Sequence, residues 1–255
     1  MTPKEALEIS RSVAEEIERE VKKLSGTSEA GVTVGIGKDG TPSKKIDVIA
    51  EKIAIEYLLQ HDVRVVSEEA GVVGEGDTYV ALDPIDGTFN AVNGIPLYSV
   101  TLCFSSSIKL EDTFFSYVKN LATGDEYYSD GRSYKNGERI NASETERLDC
   151  NAIVYYPVRR YPFRRMRIFG SASLEICMVA DGSFDCFIDL RKSENGRGYL
   201  RVYDIAASLF IAKNAGAEIT DLDGVSIWKK EISMEERFRV VVSGKPLHKK
   251  LLELL

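Results

Sequence analysis

Two carboxylates close an apolar run in the segment Val80-Ala81-Leu82-Asp83-Pro84-Ile85-Asp86-Gly87-Thr88. Val80, Ala81 and Leu82 want a core, whereas Asp83 and Asp86 want a cation, a proton or water. The run reads as a buried strand. Pro84 has no N–H to give a sheet ladder, so the strand is expected to end there. Gly87 has no side chain, so a phosphate can approach its backbone, and Thr88 sets a hydroxyl beside it. Hard anionic oxygens, an open backbone and a hydroxyl are the parts of a metal-assisted phosphoryl-transfer site.

Glu68 and Glu69 follow a second apolar run, Val63-Arg64-Val65-Val66. If the two strands are neighbours, their carboxylates meet at one sheet edge. Repulsion there either raises pKa values or draws in cations. Most Asp and Glu side chains are solvated loop acids, but two acidic clusters at consecutive strand ends outweigh that reading. Oxygen-only ligands select Mg²⁺ or Mn²⁺ over zinc. Asp204 opens an apolar helix in Arg201-Val202-Tyr203-Asp204-Ile205-Ala206-Ala207, and from local sequence it reads as an N-cap. Asp47, after Lys44-Lys45, takes the same reading.

Three further features bear on ligands. Gly170-Ser171-Ala172-Ser173 opens a helix whose free amides suit a phosphate or hydroxyl, with an ordinary serine cap as the alternative. A dense basic set runs from Arg159 to Arg201. Most of it is read as solvated or ion-paired, with Arg167 and Arg191 as candidates to hold a second substrate phosphate. Gly35-Ile36-Gly37-Lys38-Asp39-Gly40 matches the dinucleotide pattern G-x-G-x-x-G. Thr41-Pro42 follows where a helix should open and no clear strand precedes, so the segment is read as a mobile glycine-rich flap around Asp39.

The elements that position these residues follow from periodicity. Thr2-Pro3-Lys4-Glu5 fits a capping box, and Ile9, Val13, Ile17, Val21 and Leu24 give one buried helix face that stops at Ser25-Gly26. A second helix is expected from Ile46 to Gln60, with Ile46, Ile49, Ile53, Ala54 and Tyr57 inward. Strands are expected at 63–66, 79–82, 98–104, 113–119 and 126–129, with a hairpin turn at Asn136-Gly137. Beyond Asn141 the pattern changes to strands at 152–156, 166–169, 184–190, 217–220 and 238–243. Helices are expected at 172–180, 205–214 and the C-terminus. The first half reads as α+β and the second as α/β, with a site at their shared interface.

Composition narrows the function. At 255 residues, the chain has a formal net charge of −7, which argues against a nucleic-acid-binding surface but not against anionic substrates, and no apolar run long enough to span a bilayer. A helix starting at residue 2 leaves no room for a signal peptide, which predicts a cytoplasmic protein. The four cysteines, Cys103, Cys150, Cys177 and Cys186, show no zinc spacing and read as buried thiols, with a Cys150–Cys186 pairing left open. Neither His61 nor His248 has a catalytic setting, which argues against zinc chemistry, His-dependent triads and His general bases.

Asp83-Pro84-Ile85-Asp86-Gly87-Thr88 resembles the signature of the inositol monophosphatase family, in the superfamily that includes fructose-1,6-bisphosphatase. Tyr203-Asp204-Ile205-Ala206-Ala207, continuing to Ala215-Gly216-Ala217, resembles its second signature. Ser67-Glu68-Glu69 and Lys44-Lys45-Ile46-Asp47 fit in the right order. The resemblance is closest to archaeal enzymes acting on both inositol phosphate and fructose bisphosphate. It implies a layered α-β-α-β-α sandwich, usually a homodimer, with up to three Mg²⁺ ions. Residues 1–140 would carry most metal ligands, and residues 141–255 would carry Asp204 and the substrate contacts. By motif, Glu68, Asp83 and the Ile85 carbonyl would bind one metal; Asp83, Asp86 and Asp204 a second; and Glu68 a third. Asp86, Gly87 and Thr88 would face the phosphate, with Ser171, Ala172, Arg167 and Arg191 as further substrate contacts. Asp47 and Thr88 would orient and help deprotonate the attacking water.

The basic stretch Leu190 to Arg201 departs from the acidic sugar contact of many inositol monophosphatases and favours a bisphosphate. The leading expectation is therefore a Mg²⁺-dependent phosphomonoesterase for fructose-1,6-bisphosphate and inositol-1-phosphate, small phosphorylated sugars or polyols. The alternatives are a 3′(2′),5′-bisphosphate nucleotidase or NADP(H) phosphatase, and a non-catalytic phosphate-binding regulatory protein.

Overall fold

The structure, a computed structural model, describes residues 1–38, 40–194 and 196–255. Asp39, the residue expected on the flap, lies outside the described residues. The chain begins with α1 (Pro3–Leu24), β1 (Thr33–Ile36), β2 (Pro42–Lys44), α2 (Lys45–Leu58), β3 (Val63–Ser67), β4 (Gly71–Val73), β5 (Thr78–Asp86) and α3 (Thr88–Val92). A meander follows: β6 (Ser99–Ser105), β7 (Thr113–Asn120), β8 (Glu126–Ser129), β9 (Ser133–Lys135) and β10 (Glu138–Arg139). Next come β11 (Asn151–Tyr155), β12 (Arg165–Arg167), α4 (Ala172–Ala180), β13 (Cys186–Asp189), β14 (Leu200–Arg201) and α5 (Val202–Asn214). The chain ends with β15 (Ala217–Thr220), β16 (Arg237–Phe238), β17 (Val241–Gly244) and α6 (Lys245–Leu254).

Capping and amphipathic patterning explain the first helix. Thr2 accepts from the Glu5 amide while the Glu5 carboxylate accepts from Thr2 N at 2.7 Å, and the Ile9, Val13, Ile17, Val21 stripe is buried. With α2, this helix covers one face of an eight-stranded sheet ordered β10-β9-β8-β7-β6-β5-β3-β4. Within that sheet β3 and β5 are parallel, and the other pairings are antiparallel. Helices α4 and α5 cover the opposite face and are covered in turn by a five-stranded sheet, β12-β11-β13-β17-β15. Helix α6 packs on the outer face of that second sheet. The result is an α-β-α-β-α sandwich with one apolar core around the middle helices, a second under α1 and α2, and a third between the five-stranded sheet and α6.

Several elements differ from the sequence expectation for identifiable reasons. β5 does not end at Pro84. Its ladder with β3 stops at Leu82, but the strand runs on to Asp86 against β6, with a bulge between Asp83 and Asp86 that absorbs the missing donor. The buried face of α2 is Ile46, Ala50, Ala54 and Leu58; Ile49, Ile53 and Tyr57 are only half-buried, because the face is rotated to point Asp47 and Glu51 inward. The glycine-rich flap is a hairpin, with Gly35 inside β1 and Ser43 opposite it in β2. The run 238–243 splits between β16 and β17, which belong to different sheets. Asn136 and Gly137 both adopt positive φ, as their hairpin turn requires. All four cysteines are free and buried, and the Cys150 and Cys186 thiols hydrogen-bond each other. No helix among the described residues is long and apolar enough to cross a membrane.

Candidate active site

The strand β5 carries Asp83 and Asp86 into the interior, where they are 4% and 9% exposed. The Ile85 amide donates to Asp83 Oδ1 at 2.9 Å, fixing the carboxylate against its own bulge. Because β3 lies parallel to β5, with Ser67 opposite Leu82, the turn carrying Glu68 and Glu69 emerges beside Asp83. From the other side comes Asp204. It is not an N-cap: α5 starts at Val202, so Asp204 is the third helical residue, and its Oδ2 accepts from Arg201 N at 2.7 Å. The hydroxyl of Thr101 on β6 donates to the Tyr203 carbonyl at 2.9 Å and pins this helix start to the sheet.

Charge crowding follows. Burial, then the charges of Asp86, Glu68, Asp204 and Asp47, push the Asp83 carboxyl well above its ordinary range. Burial and the Asp86 charge push Asp204 up to about 7, against the opposing bond from the Arg201 amide. Among the described residues no Lys or Arg side chain pairs with Asp47, Asp83 or Asp86 within salt-bridge distance.

Asp47 is likewise at the third position of its helix, not the cap, and points in from α2. Its Oδ1 accepts from Thr88 Oγ1 at 3.0 Å, and the same hydroxyl lies 3.2 Å from the Ile85 carbonyl. Burial raises the Asp47 carboxyl to about 7, opposed by the Thr88 hydrogen bond and reinforced by the Glu69 charge. Gly87 precedes α3 with φ +92°, and a Cβ there would meet Leu97 O at 3.0 Å and Ser171 Cβ at 3.1 Å. Only glycine turns the chain here.

The start of α4 holds Asp86. Ser171 Oγ donates to Asp86 Oδ2 at 2.6 Å, the Ser173 amide at 2.8 Å, and the Ser173 hydroxyl to the same oxygen. The Ala172 amide also bonds this carboxylate. Burial still leaves Asp86 raised, with these donors pulling it down. Ser171 is therefore no ordinary cap: its hydroxyl leaves its own helix and crosses to β5.

Arg191 lies close by but is engaged: its guanidinium forms a bidentate pair with buried Asp189 and stacks 4.5 Å from the Tyr155 ring centroid. Arg167 sits exposed on edge strand β12, donates to the Met166 carbonyl at 2.8 Å, and has no hydrogen bond to the acid cluster. The sequence reading named Ser173 only as part of a helix start and missed Glu175. Glu175 is fully buried; it accepts from Tyr155 and, at 2.5 Å, from the Phe169 amide. Burial raises it to about 7, against the Tyr155 bond. The signal was present: Glu175 is the one charged residue in an otherwise apolar helix.

A cleft of about 470 Å³ opens onto Asp47, Glu68 and Thr88, with Thr41 and Pro42 of the flap and Phe89 on its rim. No three carboxylate, imidazole or thiol groups among the described residues converge on one closed cation position. The donor set nonetheless fits a hard divalent cation: oxygen only, mutually repelling, with Asp83 and Asp86 buried and without a basic partner among the described residues.

Comparison with known proteins agrees with this architecture. A curated protein from Archaeoglobus fulgidus, "Fructose-1,6-bisphosphatase/inositol-1-monophosphatase", is 55% identical over 100% of both chains. "Bifunctional NADP phosphatase/NAD kinase" of Methanocaldococcus jannaschii is 34% identical over 98% of this chain but 50% of its own length. A solved structure from Pyrococcus horikoshii, described as having similarities to inositol-1 monophosphatase, superposes with a TM-score of 0.87 at 28% identity, covering 100% of this chain and 99% of the other. The family model for the inositol monophosphatase family matches residues 3–255, which takes in both acidic signatures, the Asp47–Thr88 pair and the layered fold, and the chain belongs to that family of phosphatases.

Proposed function

We propose that the protein hydrolyses small phosphorylated sugars and polyols, removing the 1-phosphate of fructose-1,6-bisphosphate and the phosphate of inositol-1-phosphate, with Mg²⁺ as the metal. The observation that carries this reading is the crowding of buried Asp83 and Asp86 with Asp204, whose charges oppose one another's ionisation, beside the hydrogen-bonded Asp47–Thr88 pair. The dual specificity is supported by the 55% identity to the Archaeoglobus fulgidus protein.

Glu68, Asp83, the Ile85 carbonyl, Asp86 and Asp204 would hold the cations. When bound, Mg²⁺ neutralises phosphate charge, lowers the pKa of water and stabilises the leaving alkoxide. The chain supplies positioning and a proton path. Thr88 Oγ1 accepts a proton from the attacking water while passing its own to Asp47 Oδ1; the water oxygen attacks phosphorus in line as the ester P–O bond breaks, and the departing alkoxide takes a proton from solvent water to leave as the alcohol. The open backbone at Gly87 lets the phosphate approach. Ser171 and Ser173 hold Asp86 still, so the ligand geometry needs little rearrangement on binding. The functional unit would be a homodimer, which sedimentation measures directly.

The test is phosphate release with and without Mg²⁺ on inositol-1-phosphate, fructose-1,6-bisphosphate, an adenosine bisphosphate and NADP. Mg²⁺-dependent turnover of the first two is expected, and its absence overturns the reading. NADP is the competing substrate on a specific ground. A cleft of about 630 Å³ beside Arg191, lined by Tyr156, Tyr199 and Lys192, offers aromatic faces and positive charge to a nucleotide, and the Methanocaldococcus jannaschii relative carries NADP phosphatase in its name.

A further inference from the structure

Glu51 has no place in the proton path or the proposed ligand set, yet it is 5% exposed and lies one helical turn beyond Asp47 on α2. Its Oε1 accepts three hydrogen bonds: from Ser67 Oγ at 2.5 Å, from the Glu69 amide at 3.0 Å and from the Ala70 amide at 3.2 Å. Those three donors belong to the tight turn that joins β3 to β4 and carries Glu68. The opposite side of the same turn meets the flap. Lys38 N donates to the Glu69 carbonyl at 3.1 Å, the Ser43 hydroxyl donates to the Glu69 carboxylate, and Thr41 Oγ1 lies 3.5 Å from Glu68 Oε1.

The geometry points to Glu51 as a positioning residue: it fixes the turn from which Glu68 reaches the cation site, and so tunes metal affinity without touching the metal. The physical case is direct. β4 is the edge strand of its sheet, so no further strand of that sheet steadies the turn on that side. A buried carboxylate gathering two adjacent backbone amides and a hydroxyl replaces that support with charge-assisted bonds, stronger than neutral ones. Removing it orphans two amides and lets the turn open, and Glu68 then reaches the site from a distribution of positions instead of one. Because Asp47 and Glu51 share a helix, α2 sets both the proton acceptor and the Glu68 turn.

This inference rests on the metal-dependent reading of the site. The test is calorimetric titration of Mg²⁺ into chelator-treated protein, alongside the melting temperature. Glu51→Ala is expected to weaken Mg²⁺ binding by about 10- to 100-fold, the range for residues that support metal ligands. Glu51→Gln keeps the accepting oxygen and is expected to stay within about threefold of the parent. Glu51→Asp falls short of the turn and is expected to behave like the alanine variant; it carries the test if Glu51→Ala does not fold. Unchanged Mg²⁺ affinity in Glu51→Asp and in a folded Glu51→Ala, with only a lower melting temperature, overturns the assignment and leaves Glu51 structural. Equal losses in Gln and Asp variants also overturn it. A parent protein that takes up no Mg²⁺ at all would instead overturn the metal reading beneath it.

Discussion

Thr88 Oγ1 lies 3.0 Å from Asp47 Oδ1, joining residues 41 positions apart on α3 and α2. The hydroxyl has one proton, shared between Asp47 and the Ile85 carbonyl at 3.2 Å, and its oxygen is left to accept. Thr88→Ala and Asp47→Asn should each lower kcat by about 10²- to 10⁴-fold, the usual worth of a positioned proton acceptor. The double variant should be little worse than either single one, because the two act as a unit. Additive losses in steady-state kinetics would separate them.

Asp83→Asn should abolish most turnover while the fold stays intact. It should also raise the melting temperature of the metal-free protein, because it replaces with a neutral amide a carboxyl whose ionisation is opposed by burial and then by the charges of Asp86, Glu68, Asp204 and Asp47. Circular dichroism melts in chelator and a phosphate-release assay in Mg²⁺ check the two effects on one sample. A folded variant with parental turnover would exclude Asp83 from the site.

The pH dependence of stability has an unusual sign. Asp47, Asp204 and Glu175 are each raised to about 7 in the folded chain, whereas in the unfolded chain carboxyl groups titrate near about 4. Between those values the folded state binds more protons than the unfolded one, so stability falls as pH rises. The metal-free melting temperature should therefore drop by about 5–10 °C from pH 5 to pH 8. Saturating Mg²⁺ should flatten the slope by replacing the proton at Asp204 and, through its charge, easing the ionisation of Asp47. A metal-free melting temperature that climbs with pH would contradict this electrostatic picture.

Gly87→Ala should destabilise the protein by about 1–3 kcal/mol and lower activity. The residue sits at φ +92°, and its new methyl would press on Leu97 O and on Ser171 Cβ, the neighbour that orients Asp86. Denaturant unfolding gives the first quantity; a variant of parental stability would mean that the loop relaxes freely.

Glu175→Ala should cost about 2–4 kcal/mol by orphaning the Tyr155 hydroxyl and the Phe169 amide. Because Phe169 leads directly into Gly170 and Ser171, the substrate KM should rise more than kcat falls. Glu175→Gln retains an acceptor and should lose less on both measures. Equal kinetic defects in the two variants would place the role in charge rather than in holding the backbone.

What the sequence revealed follows from range. Local signals were legible: the Thr2–Glu5 box, the Asn136-Gly137 turn, the limits of α4 and β15, and the acidic strand ends. Missing were facts set by partners distant in sequence. Pro84 stays in its strand because a bulge against β6 accommodates it. The face of α2 is rotated because Asp47 and Glu51 have partners at Thr88 and Ser67. Asp204 looked like a cap because local sequence shows where a helix can begin, whereas the Thr101 contact from β6 pins where this one does. Ser171 and Ala172 were expected to face a phosphate, and in the structure their donors are spent on Asp86.

Helix α5 is a partition wall between the two sheets, and residues 205–212 of it are buried without a break. It has no outer face on which to slide or breathe, so Asp204 cannot be withdrawn without parting the two sheets. The hairpin β1–β2 is the reverse case, with every residue of β1 exposed. Amide exchange should accordingly run at two tempos: slow in α5, a wall that opens only with the whole molecule, and fast along the β1–β2 rim, which can open many times before the wall ever yields.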